Sequence, residues 1–127
     1  MYAQSVFEYA VLRVVPDIER GECLNVGVVL FCRQRRFLGA RLHLRTDLLQ
    51  VLAPSLDPEP LRRQLHAIPI ICAGGAGAGP IGELPAQERF RWLIAPRSTI
   101  LQSSPVHCGL CSDAASELEA VFVRMVL

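Results

Sequence analysis

Along the first quarter of the chain, apolar residues occupy both alternating faces of two stretches. Residues 6–15 (VFEYAVLRVV) are interrupted only by Glu8 and Arg13 and closed by Pro16, and residues 24–32 (LNVGVVLFC) are rich in β-branched side chains. Apolarity on both faces marks a strand covered on both sides of its sheet, so both stretches predict interior strands. The next stretch differs. Leu38, Ala40, Leu42 and Leu44 alternate with Gly39, Arg41, His43 and Arg45, a period of two that sets one face on a core and the other in water. With Arg33-Gln34-Arg35-Arg36 as a tight charged turn, the three predict an antiparallel meander.

The period then changes. Thr46 or Asp47 is placed to cap a short helix through Leu52, stopped by Pro54. Asp57 followed by Pro58 supplies an N-cap and a proline at the first helical position, opening a second helix with Leu61, Leu65 and Ile68 on one face. Pro69 lacks a backbone donor and crowds the preceding turn, so the helix is expected to end or kink there. Residues 73–85 hold Gly74, Gly75, Gly77, Gly79 and Gly82 and read as a flexible surface loop. Residues 90–95 (FRWLIA) and 99–103 (TILQS) read as a later pair of strands. Ser112 or Asp113 then caps a helix in which Leu118, Val121, Phe122, Met125 and Val126 share a face. The expectation is an α+β fold: a mostly antiparallel sheet of about five strands packed by two to three helices, as one domain over residues 1–127.

Composition narrows the chemistry. A chain of 127 residues supplies one core, and 51% hydrophobic against 20% charged residues exceeds what disorder allows and leaves apolar surface for a partner or self-association. All 13 basic residues are arginine, so Schiff-base, P-loop-lysine and Ser-Lys mechanisms are excluded. The net charge of +1 creates no global field toward nucleic acid or membrane. No apolar run reaches the roughly 20 residues of a membrane span, and the first residues lack a signal-peptide pattern, so a cytoplasmic protein is expected. The five cysteines, an odd and scattered set, are expected as free thiols.

Two loops carry the candidate ligand site. In the first, Asp17, Glu19 and Glu22 cluster beside Asn25, an amide in an apolar strand that must find hydrogen-bond partners or cost about 1–3 kcal/mol. In the second, Arg97, Ser98, Thr99, Ser103, Ser104 and His107 combine a bidentate fork, hydroxyl donors and a potential acid or base, suited to a phosphorylated or carboxylated ligand. Arg33, Arg35, Arg36, Arg41 and Arg45, with no acid among residues 33–45, mark a basic hairpin edge that could contact RNA, DNA or an acidic protein. Aromatic residues do not interleave with it, so nucleic acid is disfavoured and a charge-guarded edge strand is the plainer reading. The C-x-x-C of Cys108 and Cys111 has no second ligand pair, and Gly77–Gly82 matches G-x-G-x-x-G without a preceding strand. No metal or cofactor is expected, and the lack of an assembled catalytic set leans against an enzyme.

Residues 9–32, 36–42 and 89–111 resemble the bacterial family filed as domain of unknown function 3037. The resemblance is most specific in the ERGE-x-x-NVGVVL stretch at 19–30 and the APRSTI-x-x-S-S-PVH-x-GLC stretch at 95–111. It implies no established activity. It does imply that the chain is similar to proteins encoded in some bacteria near HipA-like serine kinases, which makes an accessory role toward such a kinase the leading expectation. Pro69 and the GGAGAG run depart from the continuous second helix of the family pattern.

Overall fold

The computed structural model describes residues 3–97 and 99–127. Two strands apolar on both faces form its centre: β1 (Ser5–Val14) and β2 (Leu24–Cys32) pair antiparallel, and β3 (Phe37–Leu42) adds to the far side of β2. The meander therefore forms as its alternation predicts. Two short strands, β4 (Leu101–Ser103) and β5 (His107–Cys111), pair antiparallel with the open edge of β1, one after the other. Five antiparallel strands in one sheet result among the described residues.

Alternation along the central strands feeds two cores. Leu12, Val14, Val29 and Phe31 face one side, where α2 (Pro58–Ala73) and α3 (Ala86–Ile94) cover them. Phe7, Tyr9, Val11, Val28 and Leu30 face the other, where α4 (Ala114–Met125) lays down Leu118, Val121 and Phe122. Asp57 caps α2 by accepting the Glu59 N–H at 3.1 Å, and Asp113 caps α4 by accepting from Ala115 and Ser116. The short α1 (Thr46–Leu52) starts from Arg45 without a side-chain cap, in place of the expected Thr46 or Asp47 cap.

The structure corrects further expectations, beginning with the number of helices, which is five among the described residues (four α and one 3-10) in place of two to three. Residues 90–95 are not a strand: Phe90 to Ile94 belong to α3 and Ala95 follows it, because Phe90 and Leu93, three apart, turn inward together and Phe90 stacks on Phe31 with centroids 5.5 Å apart. The later strand pair is accordingly β4 and β5, bonded to β1 rather than to each other. Pro69 does not stop α2, which runs on to Ala73. Finally, the glycine-rich stretch contains a 3-10 segment, Ala76–Glu83, kinked at Gly79 with φ 69°.

Arg89 explains how the chain leaves α2. Its Nη1 donates to the carbonyls of Ile71 and Cys72 at 2.8 and 2.6 Å, and its Nε donates to Leu84 at 2.9 Å. One guanidinium thus adds donors at the end of α2, where helical N–H groups run out; the Ile71 carbonyl also accepts the Gly74 N–H. Among the described residues, no single helix is long and apolar enough to cross a membrane.

Candidate functional site

The edge of β1 shows why the second signature stretch has its sequence. Leu12 pairs with Ser103 and Tyr9 with His107, so the edge strand carries one extra residue between them. Pro105 cannot donate to the ladder there. Ser104, buried against β1, fills the gap: its N–H donates to the Val11 carbonyl at 2.8 Å, and its Oγ accepts the Val11 N–H at 2.9 Å. Ser104, grouped by the sequence reading with the donors of the candidate anion site, is instead committed to the sheet edge.

Beside this edge a groove lies between α2 and β4. A cavity of about 310 Å³ has a floor of Leu12, Ile68, Ile71 and Leu101, with Trp92 and Arg97 at its wall. A wider cavity of about 820 Å³ continues from it toward the β1–β2 loop, lined by Val15, Ile18, Leu56, Leu61 and Ile100. Gln64 of α2 and Thr99 line both, so the two meet there. The rim is apolar and wet, with Ile18 57%, Trp92 40% and Ile100 38% exposed.

Of the residues expected to bind an anion, Arg97, Thr99 and Ser103 gather at the smaller cavity; Ser98 lies outside the described residues. Their donors are largely committed. Thr99 Oγ1 donates to the Leu101 carbonyl at 2.8 Å, Ser103 Oγ to the Ser104 carbonyl at 2.9 Å, and Gln102 Nε2 to the Thr99 carbonyl at 2.9 Å. A hydroxyl has a single hydrogen, so Thr99 and Ser103 offer an incoming ligand only acceptor lone pairs. Arg97 donates one Nη2 hydrogen to the Trp92 carbonyl at 2.7 Å while its guanidinium lies 4.6 Å over the Trp92 ring. That clamp orients the fork, whose other N–H groups meet no acceptor among the described residues.

The other expected residues sit elsewhere. Glu22 pairs with Arg20 at 2.6 Å and lines a separate cavity against α1. Asn25 Nδ2 donates to the Met125 carbonyl at the end of α4, and the His107 ring lies tilted against Tyr9 with centroids 5.3 Å apart, so both face the α4 side of the sheet. The two signature loops do approach, through the Val15 N–H donating to the Ile100 carbonyl at 2.7 Å. Asn25 and His107 are nevertheless separated from Arg97 by the sheet itself.

The arginine-rich edge disperses in the same way. Arg35 Nε donates to Ser5 Oγ and its Nη2 to the Ala3 carbonyl; Arg41 pairs with Glu119 and lies over the Phe122 ring; and Arg45 reaches the Asn25 carbonyl at 3.4 Å. Arg33, Arg35 and Arg36 share the exposed turn, Arg36 with a φ of 52°. Cys108 and Cys111, three apart on a strand, fall on opposite faces: Cys108 is exposed, while Cys111 is buried. Burial pushes the Cys111 thiol up, helped by the neighbouring Cys32 thiol, and burial likewise raises Cys72 to about 12. Among the described residues, no three His, Cys, Asp or Glu side chains converge as a metal site.

Trp92, Gln64 and Ile18 were missed as groove residues. Trp92 was hidden by the strand assignment, although it is the chain's single tryptophan; Ile18 signalled itself as an apolar residue between two acids in a turn. A family model described as "Protein of unknown function (DUF3037)" matches residues 9–126, and the chain belongs to that family. No curated protein and no solved structure matches the chain.

Proposed function

We propose that this member of the DUF3037 family is a binding protein that receives an apolar segment of a protein partner in the groove between α2 and β4. The observation that carries this reading is the rim: Ile18, Trp92 and Ile100 stand exposed around a floor of buried aliphatic side chains. Large apolar side chains grouped at a concave surface favour association, because covering them removes apolar area from water. The committed hydroxyls of Thr99 and Ser103 favour a partner segment over a phosphorylated small molecule, which would want donors. The dispersed arginines likewise weigh against nucleic acid.

The family resemblance makes a HipA-like serine kinase, met in the cytoplasm, the first partner to test. Tagged chain and purified kinase should co-elute from size exclusion in fixed stoichiometry. Ile18→Asp and Trp92→Ala should each weaken the complex at least about tenfold, as loss of an apolar anchor at an interface does, with the far-ultraviolet dichroism unchanged. Co-elution indifferent to both substitutions would place the contact elsewhere and end this reading; no co-elution at all would remove the kinase.

A further inference from the structure

The groove is electrically polarised along its length. The wide cavity is lined by Asp17, Glu19 and Asp57 and by no basic residue. Asp17 and Asp57 each use one carboxylate oxygen on a local N–H, from Glu19 at 3.0 Å and Glu59 at 3.1 Å, leaving the second oxygen toward solvent. The nearby arginines do not cancel this charge: Arg20 pairs with Glu22 and Arg62 with Glu59. Beyond Gln64 and Thr99 the sign reverses, for among the described residues Arg97 is the single charged one lining the narrower cavity. Trp92 holds that cation in place from below.

Resting on the groove reading above, we propose that the occupant is an extended partner segment with an apolar middle, a basic residue at the Asp17–Glu19–Asp57 end and an acidic residue at the Arg97 end. The dimensions set its length. Along α2 the groove runs from Asp57 to Ile71, about 21 Å at 1.5 Å per residue. An extended chain advancing roughly 3.3 Å per residue covers this with six or seven residues. Burial of the middle supplies the attraction, and the end charges set register and discriminate among sequences.

Three heptapeptides capped at both termini test this by titration into the isotopically labelled full chain, followed by amide and indole resonances in nuclear magnetic resonance. They are Arg-Leu-Ala-Leu-Ala-Leu-Asp, its neutral form with Gln and Asn ends, and a form with Arg at both ends. The first should shift the Trp92 indole and the Ile18 amide and bind roughly tenfold tighter than the neutral form, from up to about fivefold at each exposed charged end. Arg97→Glu should transfer the preference to the peptide with two arginines, and Arg97→Gln should abolish the preference at that end. Equal binding of all three at the groove would overturn the charge assignment while leaving the groove reading intact. Absence of groove shifts with every peptide would overturn both.

Discussion

Asn25 illustrates what one buried polar group can fix. Its amide donates to the Met125 carbonyl at 3.0 Å, across 100 positions of sequence, and so ties the start of β2 to the last turn of α4. Removing it leaves a helix-terminal carbonyl without that partner, so Asn25→Ala should destabilise the fold by about 1–2 kcal/mol. Asn25→Asp should cost more, since its carboxylate would face a carbonyl oxygen. Urea unfolding checks both: the midpoint should fall at unchanged slope. Peptide binding at the groove should stay as it is, because the amide lies on the other face of the sheet. That the strand amide needed a partner was legible in the sequence, while the identity of the partner was not, since nothing local joins residue 25 to residue 125.

At the scale of elements, Pro69 and α3 show where local rules yielded to packing. Proline removes the N–H that would bond the Leu65 carbonyl, yet Leu65, Ile68, Ile71 and Cys72 are all buried against the sheet, and Arg89 holds the carbonyls of Ile71 and Cys72. These contacts outweigh a local cost of about 3 kcal/mol. Pro69 itself is exposed, so Pro69→Ala should recover part of that cost, about 1–2 kcal/mol, and raise the thermal midpoint by several degrees. An unchanged or lowered midpoint would mean that α2 has already adapted around the ring. The meander, the Asp57 and Asp113 caps and the face of α4 were legible because each is written in neighbouring residues. The run FRWLIA was not: a short apolar stretch fits either period, and the Phe31–Phe90 stacking that decides for a helix is a long-range contact. β5 escaped for the opposite reason, because His107, Cys108 and Gly109 carry little strand signal and are held by their pairing with β1.

For the whole molecule, the two cores on opposite faces of the sheet share a dependence on thiols. Cys72 lies in the α2–α3 core, and Cys32 and Cys111 lie together in the α4 core. Burial raises Cys72 from an ordinary value of 9.0 to about 12, a shift that the Arg89 guanidinium moderates, and it raises Cys111 as well. In the unfolded chain the same thiols lose their protons near pH 9. The unfolded state therefore binds fewer protons than the folded state above that pH, and the free energy of unfolding must decline as pH rises. The full stabilisation is present below pH 9 and is withdrawn progressively as pH approaches 12. The chain holds no lysine to titrate beside these two thiols in this window. Urea unfolding at a series of pH values from 7 to 11 should give a flat region and then a fall. Cys72→Ala should start less stable, from its cavity, and fall less steeply, keeping the part due to Cys111. A Cys72→Ala slope identical to that of the parent chain would show that the first core opens before its thiol ionises, and would shift the cause of alkaline unfolding to the α4 face.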